Sequence, residues 1–178
     1  MVEYIIVILI IFAIIKFKRK KKSKRKKVSA KIKGKRGEVI VKEMLRNLQR
    51  PGEFILSDVI LSGGNTTHQI DHIFISKKGI FVIEVKNYSG LIYGEEYQKE
   101  WTQVLGRGIR EKFYNPIKQN ATHVRVLNDV LDYGNFDINN IVIFVNGNLK
   151  KRIIIVFLHQ THLGFSIEVF QINMMLFN

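Results

Sequence analysis

The sequence predicts an α/β domain that follows an N-terminal membrane anchor. Three observations support this prediction: an unbroken apolar run near the N-terminus, two apolar segments joined by a short glycine-containing connection, and two amphipathic patterns at helical spacing. The paired segments, 69–76 and 80–86, are rich in β-branched and aromatic residues and therefore predict a β-hairpin. Both faces of this hairpin are apolar, which indicates a sheet that is covered on both sides.

Residues 1–17 are predicted to form the anchor. Tyr4 to Ile15 is a run of twelve apolar residues, shorter than the roughly 20 residues of a typical spanning helix. It spans the bilayer if Glu3 and Lys16 snorkel to the interface or the bilayer thins locally. The positive charges follow the apolar run, which is the reverse of a cleavable signal peptide. Under the positive-inside rule we expect a single-pass protein of the cell membrane with its domain in the cytoplasm.

Basic residues are concentrated directly after the anchor. Between Lys16 and Arg36 there are 14 lysines and arginines and no acidic residue, whereas the chain from Gly37 onward has 15 basic and 14 acidic residues. We interpret residues 18–33 as a polybasic juxtamembrane linker, and the stretch from Lys16 to Arg36 as binding anionic membrane lipid at about 1 kcal/mol per nearby charge. The rival interpretation is a nucleic-acid-binding arm, and one flexible arm can do both.

A helix and a strand are predicted before the hairpin, at the start of a domain assigned to residues 34–145. Apolar residues at helical spacing predict a helix from Gly37 to Leu48, with Glu38 at its start. Phe54 to Leu61 predicts the first strand. Residues 62–67 predict a loop without the spacing or the lysine of a phosphate-cradling loop.

After the hairpin, residues 91–93 predict a short strand. The default prediction for Trp101 is a core residue, and the alternative is a surface on which a base stacks. Asn115 as N-cap and Pro116 at the first helical position predict a second helix, which ends before Gly134.

The end of the chain changes character. Ile141 to Val145 predicts a further strand, but residues 146–178 are an atypical apolar segment with no clean period. This leaves open a truncated or frameshifted end of the domain. His159 and His162 are three residues apart without a third partner, so they are not assigned to a metal site.

Three polar residues of the hairpin form a candidate site. Side chains alternate between the faces of a strand, so Glu84 and Lys86 share one face. If a two-residue loop joins the strands, Asp71 lies directly opposite Glu84 on that face. We predict this register, or a bulge that compensates for it, because a three-residue loop would pair Asp71 with Val85 instead.

This arrangement predicts phosphodiester hydrolysis. Two facing carboxylates repel each other unless a cation lies between them, and oxygen ligands with open water positions suit Mg²⁺ or Mn²⁺. The chain has no cysteine, so thiolate metal sites are excluded. Lys86 can then stabilise a pentavalent phosphate or orient the attacking water. The alternative is an ordinary Glu-x-Lys pair on a solvated strand face.

Two further polar residues can reach the same sheet. Glu38 lies at the edge of the buried stripe of its predicted helix, and the alternative is an acidic residue that complements the helix N-terminus. Gln119 lies in the first turn of the second helix and can reach the sheet edge. The alternative for Gln119 is a surface glutamine.

Four segments of the chain carry a resemblance. They are Gly37-Glu38, residues 69–72, residues 79–90 and residues 115–120. In this order they resemble the nuclease-related domain family, called NERD, which is assigned to the PD-(D/E)xK nuclease superfamily. The match spans about residues 34 to 131.

The resemblance implies a restriction-endonuclease-like fold, in which helices flank a central mixed sheet. It also implies that Asp71 and Glu84 hold the metal and that Lys86 assists the attacking water. Glu38 would support the site from its helix, and Gln119 would complete it.

We therefore expect a membrane-anchored nuclease that uses Mg²⁺ or Mn²⁺ to hydrolyse nucleic-acid phosphodiester bonds, with DNA as the expected substrate. One alternative is a catalytically inactive nuclease-like module that binds nucleic acid or a protein partner at the membrane. Another alternative is an anchored scaffold without a nucleic-acid role.

Overall fold

The computed structural model describes residues 27–64, 66–132, 136–146, 152–161 and 164–173, and from residue 146 onward it describes the backbone. The chain divides into two compact units, Met1–Lys35 and Arg36–Asn178. In the first unit the described residues, 27–35, are helical. The predicted anchor, 1–17, and linker residues 18–26 lie outside the described ranges. Across those ranges, no helix combines the length and the apolar character needed to cross a membrane.

The described residues form two α-helices, nine strands and one 3₁₀ turn, Gly106–Gly108. In chain order the helices and strands are α1 (27–48), β1 (Phe54–Gly63), β2 (Thr66–Ser76), β3 (Gly79–Lys86), β4 (Leu91–Tyr93), β5 (Glu100–Val104), β6 (Arg110–Tyr114), α2 (Pro116–Val130), β7 (Ile138–Asn146), β8 (Arg152–Thr161) and β9 (Gly164–Asn173).

The central sheet is mixed, as predicted. Its strand order is β1-β2-β3-β7-β8-β9. Strands β3 and β7 are parallel, and the other neighbours in this sheet are antiparallel. The connection from β3 to β7 contains α2 and a second, three-stranded antiparallel sheet, β4-β5-β6. A long connection of this kind is what a parallel pair of strands requires.

The hairpin of β2 and β3 has the predicted register. Ser76 pairs with Gly79 around a two-residue turn, and the last pair of the ladder is His72 with Ile83. Gly79 has a φ of 127°, which a residue with a side chain rarely adopts. The glycine therefore fixes the turn, and the turn fixes the register.

The two helices contribute to apolar clusters formed by alternate residues of β3. Val41 and Leu45 of α1 belong to one cluster with Ile83 and Val85. Leu127 of α2 belongs to another, which contains Val82. Because successive residues of a strand point to opposite faces, the two-sided burial predicted for the hairpin is confirmed.

The predicted start of α1 at Glu38 is wrong. Residues 27–36 are helical as well, so Glu38 lies in the interior of the helix and does not complement its N-terminus. These residues are mostly lysine, arginine and other residues of fair helix propensity. They carry few apolar side chains, so a search for an apolar stripe does not find them.

Of the three strands in the β4-β5-β6 sheet, only β4 was predicted from the sequence. Strands β5 and β6 are mostly polar. Two alternate residues of β5, Trp101 and Gln103, are buried, whereas no residue of β6 is. Trp101 is 6% exposed, stacks on Phe144 at a centroid distance of 6.0 Å, and donates from Nε1 to the Glu95 carbonyl. The core prediction for Trp101 is therefore confirmed, and its ring is not a surface for base stacking.

The apolar C-terminal segment continues the central sheet. Strand β8 pairs with β7, and β9 pairs with β8, both antiparallel. A continuous apolar run such as Ile153 to Leu158 has no polar-apolar alternation, so periodicity alone does not identify it as a strand. His159 lies in β8, and His162 lies outside the described residues.

Candidate active site

Glu84 and Lys86 lie on the same face of β3 as Val82, whose apolar cluster includes Leu127 of α2. Lys86 Nζ donates to Glu84 Oε1 at 2.6 Å and to Gln119 Oε1 at 2.9 Å. Glu84 is only 3% exposed. The side chains predicted from β3 and α2 thus form one hydrogen-bonded group at the C-terminal end of β3.

Asp71 joins this group from β2. The antiparallel ladder ends at His72, one position before Asp71 would face Glu84. In place of a further ladder bond, the Val85 amide donates to Asp71 Oδ2 at 2.8 Å. The predicted juxtaposition of the two carboxylates therefore occurs, and the side chain of Asp71 takes over the role of a main-chain acceptor.

Glu38 approaches the two carboxylates from α1. Its negative charge contributes to raising the pKa of both Asp71 and Glu84. Its carbonyl oxygen accepts a hydrogen bond from His72 Nε2 at 3.0 Å, and His72 Nδ1 lies 3.0 Å from Ser57 Oγ. The buried His72 ring thus ties α1 to β2 beside the site.

The structure brings all five predicted residues together, and their chemical roles stay predictions. Two neighbours on α2 were not predicted. His123 places Nδ1 3.5 Å from Glu84 Oε2. Asn120 Nδ2 donates to the carbonyls of Val82 and Ile141 and to Asn140 Oδ1, which holds α2 against β3 and β7. His123 lies four residues after Gln119, and this helical spacing was the one sequence signal that could have revealed it.

The nuclease-related domain family model matches residues 33–145 of the chain. The chain belongs to the NERD family. This confirms the resemblance and identifies a nuclease-like module. The chain is also similar, at 44% identity over 104 residues, to an uncharacterized protein of Bacillus anthracis. The similarity covers 57% of the present chain and 48% of that protein, so the chain spans about half of its relative's length. No solved structure matches the chain.

Burial dominates the electrostatics of the NERD site. Desolvation, and then the charge of Glu84, raise the pKa of Asp71 to about 7, although the Val85 hydrogen bond and the Lys86 charge oppose this shift. Burial also raises the pKa of Glu84, and it outweighs the short ion pair with Lys86 that favours the charged form. The two carboxyl groups therefore share an environment that does not easily accommodate two negative charges.

The same environment acts on the histidine of the NERD site. Burial, followed by electrostatic interactions with His68 and Lys86, lowers the pKa of His123 to about 4. The ring is therefore neutral at neutral pH, and its approach to Glu84 is not a salt bridge. Among the described residues, His123 Nδ1 makes no hydrogen bond either.

The donor set of this NERD site fits Mg²⁺ or Mn²⁺. Asp71 and Glu84 offer carboxylate oxygens, and Mg²⁺ is commonly held by one or two carboxylates with water in its other positions. A divalent cation would also offset the negative charges that, after burial, contribute to raising both pKa values. In the described part of the chain, no three His, Cys, Asp or Glu side chains are grouped as a metal site. A metal held by the two carboxylates would therefore need further ligands.

Proposed function

We propose that the chain is a divalent-metal-dependent nuclease that hydrolyses the phosphodiester bonds of DNA. The observation that carries this proposal is the pairing of the half-buried Asp71 with the buried Glu84. Lys86 compensates only part of the negative charge of the two carboxylates. Membership of the NERD family supports it. We also propose that the mixed sheet with its two helices is of the restriction-endonuclease-like type.

Each residue of the site has a proposed role. Asp71 and Glu84 would hold Mg²⁺ or Mn²⁺, which supplies Lewis-acid stabilisation of the phosphate. Lys86, fixed by Glu84 and Gln119, would orient the attacking water or stabilise negative charge on the phosphate oxygens.

The two remaining residues would act on this group indirectly. Gln119 would hold the Lys86 amine in place. Glu38 would support the site by adding a third negative charge, which increases the attraction for a divalent cation.

We further propose that residues 1–17 anchor the protein in the cell membrane with the NERD domain in the cytoplasm. The basic segment from Lys16 to Arg36 would bind anionic lipid beside that anchor. A membrane fraction that retains the protein through washes with high salt supports the anchor. Release by salt alone would show that only electrostatic attraction holds the protein.

The nuclease proposal is tested with the purified full chain on DNA and RNA, with Mg²⁺, with Mn²⁺, and with a chelator. We expect metal-dependent cleavage of DNA, and a loss of at least about 100-fold in Asp71→Asn and in Glu84→Gln. Glu43→Gln changes an exposed acid of α1 and serves as the control. Unaltered cleavage in both site variants would refute the assignment, and a wild-type chain that binds DNA without cutting it would indicate the inactive module.

A further inference from the structure

His123 faces the acidic residue at the centre of the site. It lies on α2 one turn after Gln119, and it is 6% exposed. Lys86 Nζ donates hydrogen bonds to Glu84 Oε1 and to Gln119 Oε1. His123 Nδ1 lies 3.5 Å from the other carboxylate oxygen of Glu84, Oε2. Gln119 therefore reaches Glu84 through Lys86, whereas His123 approaches it directly.

The Nδ1 atom of His123 is buried, and among the described residues it has no hydrogen-bond partner. Most buried polar atoms are hydrogen-bonded, because burying one without a partner lowers the stability of the folded state. A buried atom without a partner therefore needs an explanation. No hydrogen bond accounts for the approach of Nδ1 to Glu84 Oε2 at 3.5 Å. A cation that is bound by both the imidazole nitrogen and the carboxylate oxygen would explain why these two atoms lie so close together.

The separation of these two atoms suits a shared cation. Imidazole nitrogen and carboxylate oxygen each bind metals at about 2.0–2.2 Å, so two such ligands of one ion lie about 3.0–3.5 Å apart. We propose that His123 Nδ1 is a further ligand, beside Glu84 Oε2, for the divalent cation of the candidate active site. This inference rests on the metal-dependent function proposed above.

The assignment concerns the pair formed by His123 and Glu84. Among the described residues, no three metal-binding side chains are grouped. The observation that carries the assignment is therefore the approach of His123 Nδ1 to Glu84 Oε2 at 3.5 Å.

A nitrogen ligand would change the metal preference of the site. Imidazole suits transition metals, whereas Mg²⁺ prefers oxygen ligands. We therefore expect the wild-type chain to bind Mn²⁺ more tightly than Mg²⁺, and we expect His123 to be the source of this preference.

The test is metal binding by the full chain, measured by calorimetry with Mn²⁺ and with Mg²⁺. His123→Ala should weaken Mn²⁺ binding at least about tenfold and change Mg²⁺ binding by less than about threefold. His68→Ala is the matched control, because the His68 ring contacts His123 with centroids 6.2 Å apart. It should leave both affinities unchanged.

Pulsed electron paramagnetic resonance of bound Mn²⁺ gives a second measurement, and in the wild-type chain it does not depend on the folding of His123→Ala. Coupling to a ¹⁴N nucleus in the wild-type chain, retained in His68→Ala, supports the inference. Mn²⁺ that requires Glu84 but shows no nitrogen coupling overturns the role of His123 and leaves the proposed function intact. Failure of Glu84→Gln to affect Mn²⁺ binding overturns the metal site itself.

Discussion

The amide of Val85 donates a 2.8 Å hydrogen bond to the carboxylate of Asp71, at the point where the ladder between β2 and β3 ends. A main-chain donor that would otherwise continue the ladder thus fixes the side chain. The carboxylate is held beside Glu84, whose charge helps to raise its pKa. The site therefore lies where the regular pairing of β2 and β3 ends.

Lys86 is predicted to be essential for cleavage. Lys86→Met removes the amine that binds both Glu84 and Gln119. We expect the cleavage rate to fall by about 10²–10³-fold, because a preorganised positive charge is lost from the site. Cleavage assays of the full chain measure this effect, with Lys77→Met in the exposed hairpin turn as the control. Wild-type rates in Lys86→Met would contradict the role given to the amine.

Metal binding is predicted to depend on pH. Because the pKa of Asp71 is raised to about 7, a proton competes with the cation below that pH. We expect Mn²⁺ affinity to increase between pH 6 and pH 8, as measured by calorimetry. An affinity that is constant over this range would show that Asp71 does not take part in binding.

The same shift predicts a gain in stability for Asp71→Asn. A carboxyl group whose pKa is raised from 3.8 to about 7 by folding binds a proton in the folded state. Its contribution favours folding at low pH and is lost as the pH rises towards 7. In the presence of a chelator, Asp71→Asn should therefore raise the melting temperature more at pH 8 than at pH 5. Asp129→Asn, which changes an exposed acid of α2, should show no such difference.

Asn120 is predicted to be a structural residue of the site. It is fully buried, and its Nδ2 atom donates to main-chain carbonyls of β3 and β7. Asn120→Ala leaves these acceptors unpaired, so we expect the free energy of unfolding to fall by about 2–4 kcal/mol. Urea denaturation measures the change, and Asn128→Ala on the same helix is the control. Equal stability of the two variants would contradict the anchoring role.

Two glycines of α1 are predicted to respond in opposite directions to alanine. A Cβ atom at Gly37 would lie 2.8 Å from Asn87 Cβ, whereas one at Gly34 would meet nothing within 4 Å. Gly34→Ala should stabilise the chain by up to about 1 kcal/mol through helix propensity. Gly37→Ala should destabilise it by about 1–3 kcal/mol and reduce cleavage, because Asn87 follows Lys86 directly. Urea denaturation and cleavage assays together would show whether the close approach of α1 supports the site.

Local sequence patterns were sufficient for the hairpin and the second helix. The two-residue turn at Gly79 sets the register of β2 and β3, and the alternation of side chains then places Glu84 and Lys86 on one face. Asn115 caps α2 through hydrogen bonds to the amides of Ile117 and Lys118, as its position before Pro116 predicted. These features depend on residues that are close in the chain.

Contacts between distant parts of the chain could not be predicted in the same way. An apolar period is missing from the helical residues before Gly37 and from the polar strands β5 and β6. The neighbours of β7 are defined by pairing across the sheet. The approach of His123 to Glu84 and the bond from His72 to the Glu38 carbonyl likewise join separate elements. No spacing along one element specifies such contacts.

The sequence by itself determined the mixed α/β class, the NERD family and the hairpin register, and it singled out the five polar residues that are proposed to form the site. Only the tertiary structure decided that Lys86 is held between Glu84 and Gln119, and that Asp71 binds the Val85 amide. The physical reason is that turn geometry and side-chain alternation act over a few residues. Burial and charge depend on everything that packs around a group, and these two effects give the site its raised carboxyl pKa values.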